Sequence, residues 1–265
     1  MKTVLAIAGS DSIGGAGIQA DIKTITMHGV YATTAITAIT AQNTLSVYDV
    51  LEVPEKFLKK QLDSIFTDVY PDAIKIGMVS SEKLIEVIAQ CLEFYKAKNI
   101  VVDPVMVSST GCKLFSGKYT DILSKKLFSI STIVTPNLFE AEIISGEKIT
   151  NLQDSIKVSK KISTTYDCNV LCKGGHFKDS SNDVLCLKDE RDCVVLKNNK
   201  INNKNTHGTG CTLSSAIASN LALGKNLLES VEDAKKYVYT SLSDMLKLGK
   251  GIGPINHMAC KEFLN

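Results

Sequence analysis

The sequence predicts a three-layer α/β/α sandwich around a mostly parallel central sheet with an antiparallel edge. Three observations predict it. Apolar runs alternate with stretches of helical periodicity along the whole chain, the order of a parallel sheet covered by helices on both faces. Three late apolar runs, at 170–172, 184–187 and 193–196, follow one another across polar turns, which makes an antiparallel edge. No Pro/Ser/Gly linker, repeat or low-complexity segment interrupts residues 1–265, so one domain is expected.

Taken in order, residues 3–8 form a buried strand and 15–27 a helix, and residues 31–40, rich in Thr, Ile and Ala, form a second strand. Leu58, Leu62, Ile65, Phe66 and Val69 then share one helical face. A short apolar strand at 73–76 precedes Leu84, Ile88, Cys91, Leu92 and Tyr95, again at helical spacing. Residues 100–102 and 132–135 are further strands. After the late strands, two long helices are expected at 210–223 and 227–248.

With 265 residues, 44% of them hydrophobic, the chain can bury a full-sized core. Thirty basic against 28 acidic side chains leave a formal charge of +2, too weak a field for nucleic acid or an anionic membrane, so a small-molecule partner is favoured. The apolar run from Val4 to Ala8 is too brief for a signal core or a membrane span, so a cytoplasmic protein is expected. Eight cysteines (91, 112, 168, 172, 186, 193, 211 and 260) contain no CxxC pair, and four histidines complement them poorly, so no structural zinc is expected. Cys168, Cys172, Cys186 and Cys193 lie in or beside apolar runs, where reduced cysteine acts as a small hydrophobe. Cys112 and Cys211 have glycine and polar neighbours instead.

In open α/β sheets ligands sit beyond the carboxyl ends of the strands. Those positions carry Gly9-Ser10-Asp11, Ala41-Gln42-Asn43, Gly77-Met78, Asp103-Pro104, Pro136-Asn137 and Lys173-Gly174-Gly175-His176. Asn205-Thr206-His207-Gly208-Thr209-Gly210-Cys211-Thr212 opens a helix. Its two glycines let successive N–H groups point at one spot beside the positive end of the helix, a cradle suited to phosphate; a plain glycine turn that starts a helix would read the same way. There is no GxxxxGK[ST], and no GxGxxG follows a strand. Gly14-Gly15-Ala16-Gly17 is a second glycine cluster, suited to close approach of a substrate or neighbouring chain, or to helix-on-strand packing.

The opening run Ala8-Gly9-Ser10-Asp11-Ser12-Ile13-Gly14-Gly15-Ala16-Gly17-Ile18-Gln19-Ala20-Asp21 resembles the signature of hydroxymethylpyrimidine kinases. Asp103-Pro104-Val105-Met106, Thr135-Pro136-Asn137-Leu138-Phe139-Glu140-Ala141-Glu142, Lys173-Gly174-Gly175-His176 and the run 207–212 resemble that family's later blocks, in the same order. The resemblance covers essentially the whole chain. It implies a ribokinase-like fold with no separate lid domain, usually a homodimer. The activity implied is ATP- and magnesium-dependent phosphorylation of 4-amino-5-hydroxymethyl-2-methylpyrimidine and then of its monophosphate, for thiamine synthesis.

Residue by residue, the resemblance places Gly9, Asp21, Gln42 and Met78 on the substrate. Gln42 offers a donor and an acceptor on one planar amide, which suits an aminopyrimidine edge. Asn137 and Glu140, three apart at a helix start, can aim at one point; the family's pattern puts them with Lys173 and Thr206 around the nucleotide phosphates, and Asp103 with Glu140 near magnesium. Gly208, Thr209 and Gly210 would cradle the transferred phosphate. Cys211 stands where the sugar kinases of the superfamily carry an aspartate base. A helix N-terminus favours thiolate, so a base role near neutral pH is expected, with bound phosphate acting against it. Two positions depart from the family's usual text, Ile13 for serine and Cys112 for aspartate. A flap cysteine near Cys112 also occurs in related pyridoxal kinases, so phosphorylation of pyridoxal is the first alternative; a non-catalytic vitamin- or nucleotide-binding regulator is the second.

Overall fold

The computed structural model describes residues 1–106, 117–175, 181–197 and 199–264. Nine strands, β1 (Thr3–Asp11), β2 (Tyr31–Gln42), β3 (Val47–Glu52), β4 (Ala73–Ile76), β5 (Ile100–Val102), β6 (Ile133–Val134), β7 (Asn169–Cys172), β8 (Asp183–Cys186) and β9 (Val194–Leu196), form one sheet in the order β3-β2-β1-β4-β5-β6-β7-β8-β9. The six strands from β2 to β7 are parallel, whereas β3 pairs antiparallel with β2 and β8 and β9 pair antiparallel beyond β7. The sheet therefore has antiparallel strands at both edges rather than one. β3 escaped the sequence because Val47-Tyr48-Asp49-Val50-Leu51-Glu52 is exposed along nearly its whole length, so no buried face imposes an alternation.

Two cores flank the sheet, and the alternation of side chains along the strands assigns each residue to one of them. Leu5, Ile7, Ile74, Ile76, Ile100, Val102, Val134 and Val170 pack under α2 (Glu55–Phe66), α3 (Glu82–Phe94), α4 (Gly117–Leu123), α5 (Leu138–Ser145) and α6 (Leu152–Tyr166). Val4, Ala6, Val101, Ile133, Leu171 and Leu185 pack under α1 (Gly17–Met27), α7 (Thr209–Ala222) and α8 (Leu227–Ser243). Because both faces are covered, the central strands read as unbroken apolar runs. In α2 the buried Leu58, Leu62 and Phe66 are spaced by four, the face that the sequence predicts. A π-helical turn (Ser124–Phe128) extends α4, and a 3-10 segment (His257–Leu264) ends the described chain.

Several boundaries shift. β1 and β2 run on to Asp11 and Gln42, so the residues expected after these strands are their last rungs, and the β1–β2 register slips between Ala8 and Ser10, at Gly9. α8 stops at Ser243, short of the expected 248, where Asn203 Nδ2 takes the carbonyl of Leu242 at 2.7 Å. Cys186 and Cys193, expected as reduced hydrophobes, are joined by a disulfide, because the β8–β9 hairpin brings their Cα atoms to 4.4 Å. Cys168 and Cys172 are buried and reduced, as expected for small hydrophobes; Cys91 is buried too, and the buried Cys260 thiol donates to the Tyr237 carbonyl at 3.3 Å. Among the described residues no helix is long and apolar enough to cross a membrane.

β1 lies between β2 and β4, so the chain leaves it first to one side and later to the other. This reversal opens a crevice at the carboxyl ends of β1 and β4.

Candidate active site

Asp11, at the end of β1, organises the first glycine loop. Its Oδ2 accepts the N–H groups of Gly15 (2.9 Å) and Ala16 (2.8 Å), and its Oδ1 that of Ile13 (3.0 Å). Burial works against its charge, but the hydrogen bond from His207 and these backbone donors hold its carboxyl below the usual range. Gly17 has φ +56, and a Cβ there would lie 2.2 Å from the carbonyl oxygen of Gly9, so the loop closes onto the strand only with glycine.

The second glycine loop meets the first. Gly208 caps α7 with φ +86, and a Cβ on it would lie 1.8 Å from the Gly15 carbonyl oxygen. No side chain caps α7, so its first turn presents backbone N–H groups to a ligand, with the helix dipole behind them. The second loop and the β2–β3 turn are strapped from the C-terminal side. The N–H groups of Lys250 and Gly251 donate to Thr44 Oγ1, that of Ile252 to the Thr44 carbonyl, and that of His207 to the carbonyl of Gly253. Asn205 fastens the same segment, accepting the Gly253 N–H and donating to the Leu246 carbonyl.

Facing the start of α7 is an ion pair, Lys173 Nζ to Asp103 Oδ1 at 2.6 Å, with Thr135 Oγ1 donating to the same oxygen at 3.2 Å. A Cβ on Gly210 would stand 3.3 Å from Asp103 Oδ2 and 3.4 Å from Lys173 Nζ, which is how closely the helix start approaches the pair. Burial opposes the charge of Lys173, yet Asp103 and Glu140 beside it raise its pKa above the ordinary value. Asn137 and Glu140 do not aim outward at a common point. They form a reciprocal capping box at α5, Asn137 Oδ1 accepting the Glu140 N–H (2.9 Å) and Glu140 Oε2 accepting the Asn137 N–H (2.7 Å).

Burial pushes the Glu140 carboxyl up to about 7, with Asp103 adding to the rise and Lys173 opposing it. A carboxyl raised from 4.5 takes up a proton on folding. Its contribution to stability is present in full below about pH 4.5 and is lost as pH rises through about 7. Glu140→Gln, which preserves the capping amide, is expected to flatten Tm against pH across that window relative to wild type; an unchanged slope assigns the titration to another group.

Asp21, expected on the substrate, is fully buried beneath the cavity and does not line it. Both its oxygens are held by Lys75 Nζ, at 2.7 and 2.8 Å, and Oδ1 also accepts from Ser215 Oγ at 2.8 Å. Lys75 is equally buried; desolvation opposes its charge, but Asp21 raises its pKa above the ordinary value. Cys211, half-buried at the start of α7, is not the thiolate expected there. Burial pushes its thiol up to about 11, outweighing the nearby Lys75 ammonium and a hydrogen bond from the Gly17 backbone.

All the other expected residues line one cavity of about 890 Å³, in the range of ligand pockets. Its lining brings together Gly9 beside Met78, Gln42, the start of α7 beside Asp103 and Lys173, and the apolar Leu213, Val238 and Leu242. Cys112 and His176 lie outside the described residues. No individual role for Asp11, His207 or Lys75 is assigned from the sequence. Lys75 carried a signal, a lone lysine in the otherwise apolar Ala73-Ile74-Lys75-Ile76, which demands a buried partner.

This fold and cavity place the protein among the ribokinase-like phosphotransferases of small molecules. The family model for phosphomethylpyrimidine kinase matches residues 11–256, and the chain belongs to that family. It is 43% identical to the hydroxymethylpyrimidine/phosphomethylpyrimidine kinase of Rhizobium meliloti over 96% of both chains. It is 41% identical to a thiamine biosynthesis bifunctional protein of Geobacter sulfurreducens, of which it spans 53%. The pyridoxal kinase of Bacillus subtilis, solved as an ADP complex, superposes with a TM-score of 0.91 at 35% identity, covering 98% of both chains.

Proposed function

We propose that the protein transfers the γ-phosphoryl group of ATP to the hydroxymethyl oxygen of 4-amino-5-hydroxymethyl-2-methylpyrimidine and then to the resulting monophosphate, making the pyrophosphate used in thiamine synthesis. The observation that carries this is one cavity whose lining joins the Gln42 amide, the start of α7 with no side-chain cap, and the apolar Leu213, Val238 and Leu242. The pyrimidine fits against Gly9, Gln42 and Met78, and the nucleotide base against Val238 and Leu242. The first-turn N–H groups of α7 and the Lys173 ammonium receive the charge of the phosphoryl group in flight.

Among the described residues no group of three or more His, Cys, Asp or Glu could hold a metal. Asp103 and Glu140 both line the cavity, close enough for Asp103 to raise the Glu140 carboxyl, and such a pair fits magnesium, which takes one or two carboxylates and fills its remaining positions with phosphate oxygens and water. Asp103 and Glu140 would supply the carboxylates, and the ion would neutralise phosphate charge.

Since Cys211 keeps its proton until about pH 11, the alcohol is positioned and its proton leaves late, as a loose phosphoryl transition state permits. Cys211→Ala is expected to lower kcat by about tenfold, less than the 10²–10⁴ that an ionised base supplies. A loss of about 10³ or more would restore the base role.

Pyridoxal phosphorylation is the alternative, favoured by the superposition on the Bacillus subtilis enzyme. Turnover of ATP with the pyrimidine, its monophosphate and pyridoxal in parallel decides. Faster reaction of the pyrimidine and its monophosphate supports the proposal; faster pyridoxal turnover transfers the function to vitamin B6 salvage; no turnover with any of them favours a binding regulator.

We also place the contact of a homodimer on β3, an edge strand whose Tyr48 and Leu51 are 66% and 68% exposed. A Tyr48→Lys/Leu51→Glu variant is expected to be monomeric by light scattering; a persistent dimer would move the contact elsewhere.

A further inference from the structure

His207 is buried at the substrate end of the cavity, and the mechanism above gives it no task. We infer that His207 is a positioning residue that fixes which way round the Gln42 amide faces the substrate, so that its NH2 group is offered to a ring-nitrogen acceptor. The inference rests on the pyrimidine kinase reading of this site and adds to it the orientation of the contact.

The chain of constraint starts at Asp11. Its two oxygens already accept three backbone N–H groups, from Ile13, Gly15 and Ala16. A carboxylate so loaded can only accept. His207 Nε2 stands 2.8 Å from Asp11 Oδ2, so this ring nitrogen carries its hydrogen whether the imidazole is neutral or charged. The ring cannot swing aside. A Cβ on Gly15 would lie 2.4 Å from His207 Cδ2, and the His207 N–H is held by the Gly253 carbonyl at 3.2 Å.

Gln42 Nε2 stands 3.4 Å from the same His207 Nε2. An NH2 group turned toward an N–H would set donor against donor. The two ends of a carboxamide have nearly the same shape, so the hydrogen-bond network decides between them. Here it requires the amide to be turned over from the arrangement in which the two nitrogens meet, with Oε1 on the imidazole side and Nε2 toward the cavity. Gln42 cannot rotate as a whole, because its backbone N–H and carbonyl are both tied to Ser12 Oγ, at 2.9 and 2.7 Å. The ligand must therefore present an acceptor to Gln42 Nε2. An unprotonated nitrogen of the heteroaromatic ring does this, while a C–H in its place leaves the amide donor unpaired. The second lone pair of Oε1 remains for an amine next to that nitrogen.

Two measurements test the inference. In the first, KM and kcat are determined for the hydroxymethylpyrimidine and for its two analogues with one ring nitrogen replaced by C–H, in wild type, His207→Phe and His207→Gln. Wild type is expected to disfavour one of the two analogues by about tenfold or more in kcat/KM. His207→Phe is expected to lose that discrimination, with KM rising by a larger factor than kcat falls. His207→Gln, whose side-chain N–H can still donate to Asp11, is expected to recover part of it. Equal discrimination in all three proteins overturns the inference. In the second measurement, the ring nitrogens of His207 are observed by 15N NMR in the ligand-free protein, and Nε2 is expected to bear the proton. A bare Nε2 overturns the inference whatever the substrate is. Failure of wild type to phosphorylate the parent pyrimidine overturns the proposed function and the acceptor named here, while the NMR result still decides the orientation of the amide.

Discussion

Gly208→Ala is expected to lower kcat/KM by about 100-fold or more while leaving the helix and strand content unchanged. Gly208 sits at φ +86, ψ 2, where an L side chain costs about 1–2 kcal/mol on backbone grounds alone. The larger effect is spatial. A methyl group would fall 1.8 Å from the Gly15 carbonyl oxygen, so the two glycine loops must separate. One loop carries the backbone donors of Asp11 and the other starts α7, and displacing reacting groups by about 1 Å can cost 10² in rate. Gly146→Ala is the control. Gly146 has φ +72 but nothing within 4 Å of the added carbon, so only the backbone cost applies. Its stability should fall by about 1–2 kcal/mol with turnover near wild type. Equal losses of activity in the two variants would show that strain, not the meeting of the loops, governs the site.

Lys75→Met is expected to destabilise the fold by about 3–5 kcal/mol, because it leaves the Asp21 carboxylate buried without its partner. The pair is inaccessible to solvent on both sides. Lys75→Met/Asp21→Leu, which removes both charges, is expected to regain most of that stability, since apolar replacement of a whole buried pair is often neutral. Turnover should stay reduced in the double variant by about tenfold, because the Lys75 charge acts on Cys211 and Asp103 above it. Denaturant midpoints and kcat measured on both variants separate the two effects. A single variant as stable as wild type would show that Asp21 is accommodated in its neutral form.

The layer order and most elements were legible because periodicity reports burial, and burial here is strongly one-sided for helices and two-sided for strands. Leu58, Leu62 and Phe66 announce α2, and the apolar run at 100–102 announces β5. β3 was not legible, since an exposed edge strand has no face to encode. The cavity residues were legible as a set, because ligand positions in this architecture follow strand ends and glycine-rich helix starts. Their partners were not. That Asn137 and Glu140 cap each other, that Asp21 turns inward to Lys75, and that Cys186 reaches Cys193 each depends on tertiary proximity or side-chain direction. The thiol of Cys211 illustrates the same limit. Its place at a helix start is read from sequence, but the burial that raises its pKa is tertiary, and the Asp21 and Asp103 carboxylates that add to the rise lie far away along the chain.

The strap over Thr44 has a consequence for biosynthesis. Residues 250–252 close on a turn some 200 positions earlier, and Gly253 holds the backbone of His207. Every strand of the sheet precedes residue 197, so a nascent chain can assemble its sheet well before these contacts exist. The substrate end is completed only when the segment beyond residue 248 emerges from the ribosome and docks. Until residues 250–253 dock, the contacts that hold the Thr44 turn and the His207 backbone are missing from the pocket.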